Sequence, residues 1–511
     1  MFCKVMAGGI HGIDSFLAEV EVDAGRGLPG LEMVGLLSSE VREARERVRV
    51  ALKNSEFQIP PQRITVNISP ADIRKEGAAY DLPIALGILI AMEQMEESAL
   101  KDTLVIGELG LDGEVKAVKG ILPIMMMAKE QGIKRCILPK ENAMEGAVIQ
   151  GIKIVGVSNL TETVGYLMME EEKANQFLPP TILNPLSLFQ QEEKEKYPDF
   201  ADIRGQEMVK RAAVIGAAGF HHLLITGIPG AGKTMIAKRI PSIMPPLSME
   251  ESLEVSKIYS VSGLLEKGNP LITRRPFLHP HHTISRQALA GGGRIPRPGV
   301  LSLSHRGVLF LDELPEFGRD NIEVLRQPLE DKEVQIARNY GKVTYPADIM
   351  LVAAMNPCPC GFYPDRSRCH CSEGEIKRYR SRISGPIYDR IDICVEAKAV
   401  ELKDLQSQRK GESSSQLKAK VMKARKIQEK RYQNSPYFFN SDLETKDIMK
   451  YCKLRENEEA FMQEIFHSLK LSARAYHRML KVARTIADLD QAEDIEKEHL
   501  AEAVCYRGFE I

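Results

Sequence analysis

The octapeptide Gly227-Ile228-Pro229-Gly230-Ala231-Gly232-Lys233-Thr234 constrains this 511-residue chain more than any other stretch. It follows the apolar segment His222-Leu223-Leu224-Ile225-Thr226 and runs into the helix-forming Met235-Ile236-Ala237-Lys238. Strand, glycine-rich turn and helix in that order let backbone N–H groups fold around phosphate oxygens while the helix N-terminus adds positive charge. Gly227, Gly230 and Gly232 supply the tight backbone, Lys233 reaches the β- and γ-phosphates, and Thr234 offers its hydroxyl to Mg²⁺. ATP with Mg²⁺ is the expected ligand pair. A chance glycine-rich turn is the bland alternative, and the required order of strand, loop and helix argues against it.

A second apolar segment, Val308-Leu309-Phe310-Leu311, ends in Asp312-Glu313. Such a strand delivers two carboxylates at its C-terminal end: Asp312 for Mg²⁺, directly or through water, and Glu313 to orient and activate the attacking water. A third apolar run over residues 349–354 ends in Met355-Asn356. Strands this uniformly apolar suit a buried parallel sheet, so the expected fold class is α/β.

Length implies about three units at about 100–200 residues per domain. Residues 1–170 mix strand signals such as Arg63-Ile64-Thr65-Val66-Asn67-Ile68 with a capped helical run over 39–53, and predict an α+β domain. Residues 171–198 carry Pro179-Pro180, Pro185, Pro198 and a run of charge, and predict a linker. Residues 199–399 hold the nucleotide motifs, and 400–511, rich in helix formers, predict a helical domain. The longest apolar run, residues 82–92, is well short of the roughly 20 needed to span a bilayer. With no secretory signal pattern at the start, a cytoplasmic protein without a membrane partner is expected.

The 69 basic and 70 acidic residues nearly cancel, so any polyanion surface must be local. Residues 271–306 contain Arg274, Arg275, Arg286, Arg294, Arg297 and Arg306, four histidines and no acid. Arg286, Arg294 and Arg297 are candidate DNA contacts; the alternative is a solvated loop with incidental arginines. A hairpin signal follows, with Val334-Gln335-Ile336-Ala337 and Lys342-Val343-Thr344-Tyr345 flanking Arg338-Asn339-Tyr340-Gly341. Arg338, Tyr340 and Lys342 at its tip combine cations and an aromatic suited to a nucleic-acid strand; charges that only keep an exposed hairpin soluble are the competing explanation.

The Asn356 strand makes the chain resemble AAA+ ATPases, in which a polar sensor residue at that position helps place the hydrolytic water. Phe200-Ala201-Asp202-Ile203-Arg204-Gly205-Gln206 resembles the segment that closes over adenine in these enzymes. The basic insert and the hairpin resemble those of the AAA+ branch containing magnesium chelatase and the minichromosome-maintenance helicases. The fuller resemblance is to the YifB/ComM family of magnesium-chelatase-like ATPases. It rests on Pro280-His281-His282-Thr283, Gly291-Gly292-Gly293, Leu311-Asp312-Glu313-Leu314-Pro315-Glu316-Phe317, Ala354-Met355-Asn356-Pro357-Cys358-Pro359-Cys360-Gly361 and Ser384-Gly385-Pro386-Ile387-Tyr388-Asp389-Arg390-Ile391-Asp392. The resemblance implies a ring-forming ATPase, expected to be hexameric, that acts on single-stranded or branched DNA in branch migration during uptake of transforming DNA. It also implies an arginine finger at Arg390, with Arg382 as second candidate, and a sensor arginine at Arg474 in a helical lid. The alternative is an ATPase that remodels a protein partner, as magnesium chelatase does.

The segment from Gly113-Glu114-Val115 through Lys119-Gly120 to Leu138-Pro139-Lys140-Glu141-Asn142 resembles the Lon protease domain. A working site of that kind needs a serine and a lysine. Alignment puts Ile84 and Leu122 at those positions, so no proteolysis is expected.

Cys358, Cys360, Cys369 and Cys371 gather four thiols in 14 residues, while Cys3, Cys136, Cys394, Cys452 and Cys505 are isolated and expected to pack. Zn²⁺ held by four thiolates and four reduced structural cysteines are both open, since C-x-C is tighter than common zinc spacings.

Overall fold

The computed structural model describes residues 1–191, 198–293, 295–338, 341–399 and 411–507. The chain forms two compact units. The first gathers residues 1–193, 249–273 and 337–344; the second gathers 194–248, 274–336 and 345–511.

The first unit is built on strands β1 (Phe2–His11), β2 (Asp14–Gly25), β3 (Gly30–Val34), β4 (Arg63–Ser69), β5 (Thr103–Val105), β8 (Arg135–Pro139) and β9 (Lys153–Val157), with a small hairpin of β6 (Glu108–Leu109) and β7 (Val115–Lys116). The seven-stranded sheet runs β3-β4-β2-β1-β5-β8-β9, antiparallel at β4-β2-β1 and parallel elsewhere. Alternation along β1 explains the layers: Cys3, Val5 and Ala7 join the core that includes helix Asp81–Ala91, whereas Met6 and Ile10 pack on the core that includes helix Ile121–Glu130. Helix Asp81–Ala91 is buried on every side, which is why its sequence shows no helical stripe. Its buried Asp81 takes two bonds from Arg47, at 2.7 and 2.9 Å.

Residues 171–198, expected as a linker, include helices Glu171–Phe177 and Pro185–Gln191. Ala174 and Leu188 are buried in the two cores of the first unit, so single apolar residues fasten a segment whose composition is that of a solvated strap.

The second unit carries β10 (Leu223–Gly227), β11 (Phe277–Leu278), β14 (Val308–Leu311), β17 (Met350–Met355) and β18 (Ile393–Ala397). Two-residue strands β12 (Gly291–Gly292) and β13 (Arg297–Pro298) pair with each other, as do β15 (Glu333–Arg338) and β16 (Gly341–Pro346). The main sheet runs β11-β14-β17-β10-β18, all parallel. Every residue of β10, β14 and β17 is buried, as continuous apolar runs require. The helical C-terminal region is not a separate core: Val421, Met479 and Ile486 share one cluster with Ile225 and Phe310.

Asp488, on helix Ala473–Leu489, is fully buried and accepts from Arg431, from Asn440 at 2.9 Å and from Arg484 at 3.2 Å. Asp488→Ala leaves the buried Arg484 and the partly buried Arg431 without their carboxylate and should destabilise the second unit by about 3 kcal/mol. A urea titration of the variant against the parent measures this. An unchanged midpoint would mean the arginines are satisfied without Asp488.

Candidate nucleotide site

β10 ends at the phosphate loop, and each glycine there has a distinct cause. A Cβ on Gly227 would lie 2.4 Å from the Ala397 carbonyl oxygen of β18, so the neighbouring strand excludes any side chain. Gly230 and Gly232 have open space but φ of +79° and +85°, a conformation costly for other residues. Lys233 opens helix Lys233–Ala237 and is buried. Its ammonium donates to the carbonyls of Gly227 at 2.7 Å and Ile228 at 3.1 Å and to Asn356 Oδ1 at 3.1 Å. Burial lowers the Lys233 pKa, while the carboxylates of Asp312 and Glu313 oppose that shift.

β17 lies between β10 and β14, so parallel pairing sets Asn356 between the phosphate loop and the acidic pair. Asp312 follows β14, and its Oδ2 accepts from Thr234 Oγ1 at 2.7 Å. Magnesium binds oxygen ligands at about 2.0–2.1 Å in an octahedron, whose adjacent ligands are about 2.9 Å apart. Two hard oxygens at 2.7 Å therefore fit neighbouring corners of a Mg²⁺ shell. Glu313 has φ +53°, a strained turn of the kind found at functional positions. Its side chain is half exposed, and Oε2 lies 3.8 Å from His282 Nδ1, a neighbour the sequence did not pair with it.

The segment resembling an adenine-closing element lies at the same loop. Gln206 donates to the carbonyls of Ala231 at 3.1 Å and Lys398 at 2.5 Å. Arg239 donates to the Asp199 carbonyl at 2.7 Å and to Asp202 at 3.1 Å.

Arg390 differs from the projecting finger its motif suggests. Its side chain is 3% exposed, clasped by Glu330 and bonded to the Pro386 carbonyl at 2.7 Å. The hydrogen bond from Arg390 holds the Glu330 carboxylate below its usual pKa range. Arg474, at the start of helix Ala473–Leu489, lies 3.4 Å from the other Glu330 oxygen. Both arginines line a cavity of about 530 Å³ with Arg478 and Lys481. Nothing in the sequence singled out Glu330 as the acid that brings them together. Arg382 is half exposed and pairs with Glu316 at 2.9 Å.

Of the expected DNA contacts, Arg286, Arg297 and Lys342 are exposed. Arg294 and Tyr340 lie outside the described residues, as does the Arg338 side chain, whose backbone ends β15. Two arginines of the basic stretch serve the fold. Arg275 is buried and donates to the carbonyls of Pro245 and Arg306, at 2.6 and 2.7 Å, and Arg306 pairs with Asp348 at 3.0 Å.

Ile84 and Leu122, at the positions aligned with a protease serine and lysine, are fully buried. The four clustered cysteines converge, with all sulfurs within 4.8 Å of one another. Cys3, Cys136, Cys394 and Cys452 are buried as expected of packing residues, but Cys505 is exposed.

A parallel sheet with its P-loop strand beside a polar sensor strand and an acidic strand next in order, closed by a helical lid, defines an AAA+ nucleotide module. Residues 199–405 match the family described as magnesium chelatase, subunit ChlI; 20–142 match subunit ChlI of Mg-chelatase; and 411–507 match the ChlI C-terminal family. The chain is 41% identical to competence protein ComM of Haemophilus influenzae, over 97% of this chain and 96% of that protein. It is 42% identical to the protein YifB of Escherichia coli, over 98% of this chain and 96% of that protein. A 67 kDa magnesium-chelatase subunit of Heliobacterium mobile is 27% identical over 36% of this chain and 32% of its own length. The chain belongs to the YifB/ComM family of magnesium-chelatase-like AAA+ ATPases. Nucleotide and Mg²⁺ use follow from that membership, and no described helix is long and apolar enough to cross a membrane.

Proposed function

We propose that this protein is an ATP-driven, ring-forming DNA motor of the cytoplasm, a hexameric helicase or branch-migration ATPase acting when transforming DNA is taken up or recombined. The observation that carries the proposal is near-full-length similarity to a competence protein, since competence is the uptake of DNA. The exposed cations Arg286, Arg297 and Lys342 support it.

In the proposed mechanism Lys233 and the loop amides bind the β- and γ-phosphates, and Thr234 and Asp312 would hold Mg²⁺, which would supply charge neutralisation when bound. Glu313 accepts a proton from the water that attacks the γ-phosphorus as the bond from that phosphorus to the bridging oxygen breaks and ADP leaves, and Asn356 positions that water. Once released from Glu330, Arg390 reaches the γ-phosphate of a neighbouring subunit, while Arg474 serves as the lid's sensor. The matches to magnesium-chelatase subunits favour a second reading, an ATPase that remodels a protein partner.

The hairpin separates the two. In a DNA motor Arg338 and Lys342 grip phosphates, so replacing both with alanine weakens DNA binding at every sequence, because backbone contacts position without reading bases. Each lost contact removes roughly 0.7–0.9 from the slope of log affinity against log salt, about 1.5 for the pair. Basal ATPase survives and stimulation by single-stranded, duplex or forked DNA drops. Unchanged affinity, slope and stimulation in a folded double variant would move the assignment to the protein remodeller.

A further inference from the structure

We propose that Cys358, Cys360, Cys369 and Cys371 hold one zinc ion, and that this ion braces Asn356 and the phosphate loop. Cys358 Sγ lies 3.3 Å from Cys360 Sγ and 3.7 Å from Cys369 Sγ, and Cys360 and Cys369 are 3.6 Å apart. All four sulfurs fall within 4.8 Å of one another. A disulfide needs about 2.05 Å, so these are not bonded pairs. Four thiolates at about 2.3 Å from one zinc ion form a tetrahedron with edges of about 3.8 Å, close to the spacing here. The tight C-x-C spacing is accommodated because an irregular loop brings the second pair back onto the first.

The surroundings suit a doubly negative zinc tetrathiolate. The Tyr363 N–H donates to Cys358 Sγ at 3.4 Å, an outer-shell bond of the kind that orients metal ligands. Arg366 donates to the Cys371 carbonyl at 2.7 Å and pairs with Glu373, and Arg368 lies over the Phe362 ring at 4.0 Å, so with Asp365 the loop itself carries a small net positive charge. Among the described residues the apolar cluster here has three buried members, Cys358, Cys369 and Ile376, with Phe362 and Tyr363 packed part-buried against them. So small a core gives a 14-residue cysteine segment little to fold on, and a structural metal supplies that energy directly.

The loop also touches the nucleotide machinery. Only Pro357 separates Asn356 from Cys358. The Pro357 carbonyl accepts from Arg380 at 3.2 Å, on helix Glu373–Arg380, which begins just after Cys371. Gly361 follows Cys360 with φ +84°, and a Cβ there would lie 2.6 Å from Pro229 of the phosphate loop. An ordered metal loop therefore fixes Asn356 from one side and backs the phosphate loop from the other. The bracing rests on the proposed ATPase mechanism; the metal site does not.

Full-length protein purified without chelators should contain one zinc ion per chain by inductively coupled plasma mass spectrometry. Cobalt taken up in its place should give the intense visible bands of tetrahedral thiolate ligation. Cys369→Ser with Cys371→Ser should lose the metal and lower ATP turnover about tenfold to a hundredfold, the scale expected when a positioning group shifts by about 1 Å. Should that variant fail to fold, release of zinc from the unmodified protein by a thiol-blocking mercurial, read with a zinc indicator, tests the ligands. Protein that neither contains zinc nor takes up cobalt overturns the site. Zinc lost with turnover unchanged overturns the bracing, and zinc present in a chain without ATPase activity overturns the mechanism while leaving the metal site standing.

Discussion

Glu313→Gln should bind ATP as tightly as the parent and lower turnover by about 10²- to 10⁴-fold, the usual contribution of a positioned general base. Glutamine keeps the size and the hydrogen-bonding reach but not the basicity, and Glu313 belongs to neither the Thr234–Asp312 pair nor the Lys233 cluster. Lys233→Ala should act on the ground state instead. Loss of a hydrogen bond to a charged phosphate, roughly 1.5–3 kcal/mol, weakens ATP binding by about 10- to 100-fold. Titration with a fluorescent ATP analogue and a phosphate-release assay separate the two effects. Normal turnover by the glutamine variant would remove Glu313 from the mechanism.

Lys233 adds a refinement. Its ammonium is satisfied by two loop carbonyls and Asn356, so a phosphate must compete with bonds that already exist. In the proposed mechanism Asn356 thereby touches the cation assigned to the phosphates, which would link it to binding as well as to water positioning.

The candidate nucleotide site was legible because its residues are local in sequence. Strand, glycine turn, lysine and threonine are contiguous, and the two acids end a strand whose apolar run is itself a signal. Long-range partners left no such trace. Glu330 and Arg390 lie 60 residues apart, and no periodicity or motif marks Glu330 as the clasp. Nor could composition show that residues 249–273 and 337–344, flanked by ATPase motifs, join the first unit. The 171–198 segment misled in the opposite direction, because proline and charge outweigh the few apolar residues that pin it down. In the basic stretch net charge was visible, but only the fold separates Arg275 and Arg306, occupied with carbonyls and Asp348, from exposed Arg286 and Arg297.

Arg390→Ala should leave ATP binding intact and lower turnover by about 10³- to 10⁵-fold, as loss of an arginine finger does. The clasp by Glu330 makes a structural role the serious competitor, and the burial of each partner distinguishes the two. Arg390 is 3% exposed, but Glu330 is 50% exposed and also faces Arg474, so its carboxylate remains solvated when Arg390 is removed. The stability cost should therefore stay well under the 3–5 kcal/mol of breaking a fully buried pair. A finger acting in trans makes a further demand. Mixed with Lys233→Ala chains, Arg390→Ala chains should regain activity, because each supplies the half-site the other lacks. An equal mixture completes about a quarter of the interfaces of a closed ring. A large fall in denaturation midpoint with no recovery on mixing would make Arg390 a structural residue of its own chain.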